Sequence, residues 1–196
     1  MRRAQIRRKT RETEIAVKLN IDGQGKAKIN TGIGLLDHML ELFTFHGLFD
    51  LEIKAKGDLR VDIHHTNEDV AIVLGQAFKK ALGAKKGIRR FGWASVPMEE
   101  VVAEIAVDIS GRAYFMLATP YVPKVQDGYT FGDAEHFFES FAKHLGMNLN
   151  IKVEPISPDL HTTLEPIFKA LGIALDQATQ IDPRRKGVPS TKGVID

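Results

Sequence analysis

The chain has 196 residues, 43% of them hydrophobic, with 27 Lys and Arg against 25 Asp and Glu, and it contains no cysteine. A chain of this length buries on the order of 70% of its unfolded surface, so it needs neither disulfide nor metal merely to fold. The missing thiols leave nitrogen and oxygen as the only metal donors. A net charge of +2 is too small to argue for nucleic acid, and no run reaches the roughly 20 apolar residues of a membrane-spanning helix. A cytoplasmic protein with no nucleic-acid or membrane partner is expected.

Arg2, Arg3, Arg7, Arg8, Lys9 and Arg11 make the first segment basic. It has no interleaved aromatic residues to stack on bases, and reads as a solvated end or the start of an edge strand. Residues 14–21 alternate as a strand should, and Asp22-Gly23 predicts a tight hairpin turn into a second strand over 26–29. Apolar residues at helical spacing predict a helix over 35–45, stopped by Gly47. A strand over 48–55 and a helix over 67–82, ended by Gly83, complete the first half. The second half gives strands near 101–109 and 113–119, then a loop marked by Pro120, Pro123 and Gly128. A helix near 133–145 closed by Gly146, a strand over 148–154 and a helix over 164–179 follow. Each half is thus β-β-α-β-α. This predicts an α+β fold with an internal duplication, its sheets mainly antiparallel and its helices on one face. The expected division is a first half-repeat over 1–92, a second over 93–182, and a C-terminal arm over 183–196, where Pro183, Gly187 and Pro189 break any periodicity.

What repeats is histidine and carboxylate. Asp37-His38-Met39-Leu40-Glu41 recurs 98 residues later as Glu135-His136-Phe137-Phe138-Glu139. His64-His65-Thr66-Asn67-Glu68 recurs 97 residues later as His161-Thr162-Thr163-Leu164-Glu165, and Leu74-Gly75 as Leu171-Gly172. A lone histidine is ordinarily a satisfied surface or core residue, which is the reading for His144. Five histidines and two glutamates in register across a repeat are better explained as two similar metal sites of imidazoles and a carboxylate. That donor set suits Mn, Fe, Zn or Ni rather than Mg or Ca. Neighbouring helical positions point about 100° apart, so His64 and His65 face two different metals. Threonine is a poor ligand, and Thr162 stands where the repeat calls for a second histidine, so one site is a ligand short. Gly87-Ile88-Arg89-Arg90-Phe91, Ser110-Gly111-Arg112 and Pro189-Ser190-Thr191-Lys192-Gly193 place cations and hydroxyls in turns. Together they suit a phosphate clamp, although each alone reads as well as a solvated loop. Acid–base candidates are Glu12, Glu14 and the site carboxylates, while Glu99-Glu100 reads as an exposed pair.

Arg8-x-Thr10-x-Glu12-Thr13, Asp37-His38-Met39-Leu40, His46-Gly47, Gly57-Asp58, His64-His65-x-x-Glu68-Asp69, Arg90-Phe91-Gly92, Ser110-Gly111-Arg112, Phe168-Lys169-Ala170 and Pro189-Ser190-Thr191-Lys192-Gly193 follow one another in order. In this the chain resembles the imidazoleglycerol-phosphate dehydratases of histidine biosynthesis along almost its whole length. The resemblance implies a homo-oligomer of trimers assembled into a 24-subunit shell, with two Mn(II) per active site held between neighbouring subunits. It implies removal of water from imidazole glycerol phosphate to give imidazole acetol phosphate, with the metals as Lewis acids and template. One metal would be held by His64, His136, His161 and Glu165. The other would be held by His38, His65 and Glu68, with Thr162 in place of the family's fourth ligand. Glu12 would sit near the reacting carbons, and Glu68 and Glu165 would share proton transfer. Glu12, His46, Arg90, Arg112, Ser190, Thr191 and Lys192 would hold the substrate, chiefly its phosphate. The chain departs from the family pattern at Leu42 (usually Gln), Asn150 (commonly His), Gly132 (commonly acidic or amide), Trp93 (frequently His) and Thr162. These departures motivate an alternative, a catalytically impaired or silent homologue kept as a self-assembling shell subunit.

Overall fold

The computed structural model describes residues 2–119 and 125–195. Strands β1 (Arg3–Lys9), β2 (Thr13–Asn20) and β3 (Ala27–Asn30) precede helix α1 (Gly34–His46), and β4 (Asp50–Gly57) and α2 (His64–Leu82) close the first half. In the second half β5 (Phe91–Met98), β6 (Val101–Asp108) and β7 (Tyr114–Ala118) are followed by a small hairpin of β8 (Val125–Gln126) and β9 (Tyr129–Thr130). Then come α3 (Phe131–Leu145), β10 (Asn148–Val153) and α4 (Leu160–Thr179). The two large sheets have orders β1-β2-β4-β3 and β5-β6-β10-β7. In each the first three strands are antiparallel and the last is parallel to its neighbour. Identical strand order in both halves is the internal duplication seen as topology. Gly128 lies in the turn between β8 and β9, whereas Pro120 and Pro123 fall outside the described residues.

Strand patterning explains which face each sheet buries. Along β2, Ile15, Val17 and Leu19 are buried while Glu14 and Lys18 face solvent, the period of two that puts alternate side chains on opposite faces. Helix α2 packs on β1 and β2 and against α3, and α4 packs on β5 and β6 and against α1. The helices therefore form one layer between the two sheets. Phe43, Phe78 and Phe141 meet at ring separations of 5.7 to 6.2 Å and come from both halves, so the halves share one core. Truncating such a side chain to alanine costs about 3–5 kcal/mol. Among the described residues no helix is long and apolar enough to cross a membrane.

Two local expectations differ from the structure. Each large sheet carries one strand more than the sequence pattern suggests, because β1 and β5 are sheet edges, and the second half adds the β8–β9 hairpin. β1 buries only Ala4 fully, and β5 contains Gly92 and Pro97, which weakens the alternation. The Asp22-Gly23 hairpin is the second difference. β2 does not pair with β3, because β4 lies between them. The segment after β2 instead crosses the start of β4, and a Cβ on Gly23 would lie 2.2 Å from the Asp50 nitrogen. Only glycine permits that approach. The Asp50 carboxylate holds the crossing by accepting from the Gln24 amide at 2.9 Å, the Lys26 amide at 3.3 Å and Asn20 Nδ2 at 3.1 Å. These bonds keep the Asp50 carboxyl below its usual range, the Gln24 amide contributing most and opposing the effect of burial.

Candidate metal centre

The duplicated helices bring two matching groups together. His38 from α1 meets His161 and Glu165 from α4, and His136 from α3 meets His64 and Glu68 from α2, the ligand atoms of each group lying within 4.8 Å of one another. In both groups the second helix supplies a histidine and, four residues on, a glutamate, the spacing that places two side chains on one helix face. The imidazoles stack in both, His38 on His161 at 4.9 Å and His64 on His136 at 4.6 Å. Within one chain the residues thus sort differently from the sets implied by the resemblance, which joined His161 and Glu165 to His64 and His136.

The two groups differ electrostatically. Glu165 Oε1 accepts from His161 Nε2 at 2.6 Å and His38 Nε2 at 3.2 Å, and Oε2 accepts from Lys169. Burial opposes ionisation of Glu165, but the bonds from Lys169, His38 and His161 outweigh it and hold the carboxyl down at about 2. The other group is looser, with His136 Nε2 3.6 Å from Glu68 Oε1. His136 Nδ1 is buried without a hydrogen-bond partner among the described residues. Nitrogen and oxygen donors converging in this way, with an imidazole nitrogen left unsatisfied, fit a borderline transition ion.

The His65 ring stands edge-on to that of His64, with centroids 6.0 Å apart and planes at 75°. Its Nδ1 lies 3.1 Å from Asp58 Oδ2 and its Nε2 3.9 Å from Glu12 Oε1. The Asp58 bond raises the affinity of His65 for a proton, with Glu12 adding to it. Thr162, its counterpart in the repeat, is nearly buried, and its amide and hydroxyl both donate to Asp159 Oδ2 at 2.8 Å. Asp159 is the N-cap of α4, so this threonine completes a helix cap. His46, at the end of α1, binds protons less readily than usual because it is partly buried and because Lys169 is near. His144 lies outside both groups, with its Nδ1 2.8 Å from the Ser140 carbonyl.

The cationic residues gather at another corner. Arg90 donates to Asp108 through Nε at 2.6 Å and Nη2 at 3.0 Å, and through Nη1 to the Pro189 carbonyl at 3.0 Å. Ser190, Thr191 and Lys192 follow directly, with the Lys192 amide on Ser190 Oγ at 3.2 Å. The Ile109 amide bonds the Arg90 carbonyl at 3.0 Å, which brings the Ser110-Gly111-Arg112 turn alongside, with Arg112 exposed. Asp58, Lys169 and Asp69 were assigned no role from the sequence. The signal was present, since each belongs to a motif quoted above, but only the fold shows what it touches.

Two related half-folds that together set two groups, each of two imidazoles and a carboxylate drawn from both halves, define a duplicated α+β enzyme of the metal-dependent kind. The model of the family described as imidazoleglycerol-phosphate dehydratase matches residues 31–175. Proteins named imidazoleglycerol-phosphate dehydratase from Geobacter metallireducens and Methanocella arvoryzae are each 52% identical to it, over 99% and 100% respectively of both sequences. The solved structure from Pyrococcus furiosus superposes with a TM-score of 0.82 at 35% identity, covering 96% of this chain and 99% of that one. The Staphylococcus aureus structure gives 0.81 at 33% identity, covering 91% and 98%. The chain belongs to the imidazoleglycerol-phosphate dehydratase family. It is a lyase of histidine biosynthesis acting on a phosphorylated imidazole. Identity of this order along the whole chain does not favour the silent-shell alternative.

Proposed function

We propose that the chain dehydrates imidazole glycerol phosphate to imidazole acetol phosphate, in the cytoplasm, at a centre of two Mn(II) ions per active site. His38, His64, His65, Glu68, His136, His161 and Glu165 hold the ions. The observation that carries this reading is the pair of matching His-His-Glu groups, equivalent helix by helix across the duplication. When bound, the ions supply Lewis-acid polarisation of the imidazole and a template for it. The protein's own residues do the rest. Glu12, beside His65, is placed to move a proton at the reacting carbons, and Glu68 and Glu165 share that work. Arg90, Arg112, Ser190, Thr191 and Lys192 bind the phosphate, and His46 and Glu12 line the remainder of the substrate.

Distances along the helices support a homo-oligomer. The Arg90 amide bonds the Ala178 carbonyl, 17 residues beyond His161 on α4, which at 1.5 Å per residue is roughly 25 Å. Gly111 bonds Gly146, ten residues beyond His136 along α3 and its cap, or roughly 15 Å. One small substrate does not span both separations, so the cations of one copy serve the histidines of another. Trimers assembling to a 24-subunit shell meet that requirement. The division of the chain into 1–92, 93–182 and an arm over 183–196 belongs to the same proposal, with the arm carrying phosphate-binding residues.

The test is to reconstitute the protein with Mn(II), count ions per chain and assay product from imidazole glycerol phosphate, with the solution mass read alongside. About two ions per chain, product, and a mass far above a monomer support the proposal. A loaded protein that forms no product overturns it.

A further inference from the structure

Glu12 is carried on the short turn between β1 and β2, and its side chain is 54% exposed. Nothing in such a turn fixes a carboxylate by itself. Behind it lies a chain of hydroxyls that ends on a buried charge. Asp69, on α2 next to Glu68, is only 6% exposed. It accepts from Arg8 Nε at 2.7 Å and from the Thr13 hydroxyl. Thr13 Oγ1 is 3.2 Å from Thr10 Oγ1. Since the Thr13 proton is committed to the carboxylate, the Thr10 hydroxyl donates to Thr13. The remaining lone pairs of Thr10 then accept the amides of Glu12 at 3.1 Å and Thr13 at 3.0 Å. The Thr10 amide closes the turn on the Thr13 carbonyl at 2.9 Å. Every donor and acceptor in this relay is used in one direction, and Asp69 sets the direction.

We propose that Asp69 is a positioning residue: through the Thr13 and Thr10 hydroxyls it fixes the turn bearing Glu12 against the helix that carries His65 and Glu68. The ion pair of buried Asp69 with part-exposed Arg8 anchors the relay to α2. One helical turn therefore sets the histidine and the glutamates of the site in a common frame, with Glu12 Oε1 3.9 Å from His65 Nε2. The inference rests on the proposed role of Glu12 at the reacting carbons.

Thr10→Val removes the hydroxyl with little change in shape and leaves Asp69, Thr13 and Arg8 paired. A misplacement near 1 Å costs on the order of a hundredfold in rate. In Mn-reconstituted protein of parental mass and metal content, Thr10→Val should lower kcat by about 10- to 100-fold with KM within about twofold. Thr10→Ser should restore it, and if Thr10→Val does not fold, Thr10→Ala carries the same expectation. The deciding comparison is made on a Glu12→Gln background. Removing the Thr10 hydroxyl should there cost less than about twofold, since it acts only through Glu12. A full extra loss on that background, or parental kcat in Thr10→Val beside an impaired Glu12→Gln, overturns the relay alone. Parental kcat in Glu12→Gln overturns the role of Glu12 and the relay with it.

Discussion

Gly75 and Gly172, equivalent in the repeat, sit in mid-helix where glycine ordinarily weakens a helix by about 1 kcal/mol relative to alanine. On a free helix face Gly172→Ala should therefore stabilise. Here a Cβ on Gly172 would lie 2.4 Å from the Phe43 carbonyl oxygen and 2.9 Å from the Gly47 nitrogen, both backbone atoms of the α1 end. Ordinary contact begins near 3.4 Å, so α1 must retreat from α4 by about 1 Å. Overpacking of this kind costs about 1–3 kcal/mol, which exceeds or cancels the propensity gain. Net of the propensity gain the loss is about 0–2 kcal/mol, for a chain of this size a fall of up to roughly 8 °C in Tm. The same movement separates His38 on α1 from His161 and Glu165 on α4, so Mn(II) should bind more weakly. At Gly75 the nearest backbone atom would be 2.8 Å away, the Phe141 carbonyl, and Gly75→Ala should be the milder change. The assays are thermal unfolding at fixed protein concentration and Mn(II) titration of metal-free protein. A Gly172→Ala protein more stable than its parent would refute the reasoning.

Three further outcomes follow from the same geometry. Thr162→His supplies the imidazole that the repeat lacks and should raise Mn(II) affinity and turnover at limiting Mn(II) together, at a cost of about 1 kcal/mol for the lost hydroxyl bond to Asp159. If neither rises, the threonine is not what limits the centre. Asp108→Asn weakens the fork that holds Arg90, and with it the arm bearing Ser190 and Lys192. KM for the phosphorylated substrate should increase about tenfold or more with kcat little changed, and an unchanged KM would show that the fork does not shape the phosphate site. Asp50, whose folded carboxyl lies below the ordinary 3.8, adds stability that is complete above that value and is lost as pH falls through the lower folded one. Asp50→Asn should cost about 1 kcal/mol near neutral pH. In urea the gap from the parent should close once pH has fallen through that lowered folded value. A gap that persists there would assign the loss to packing.

The order of helices and central strands was legible because periodicity and turn residues are local properties. So was the duplication, because register is preserved between residues 97 or 98 apart. The side-chain types of the two His-His-Glu groups were legible for the same reason. The edge strands β1 and β5 were obscured because an edge needs only one paired side and tolerates Arg, Gly and Pro. The true path after Asn20 was obscured because pairing is decided by which strand wins the central place, and β4 takes it between β2 and β3. Local sequence cannot express that competition.

The amino-acid sequence by itself determined that this is a duplicated α+β enzyme with two sets of imidazoles and carboxylates. Those features depend on residue identity and spacing alone. Which histidine meets which glutamate was decided only when α1 packed on α4 and α3 on α2. So were the turn holding Glu12 against α2 and the placing of Arg90 at the far end of α4 from His161. Each of these is a contact between residues distant in the chain, set by how the helices pack between two sheets and not by any local pattern.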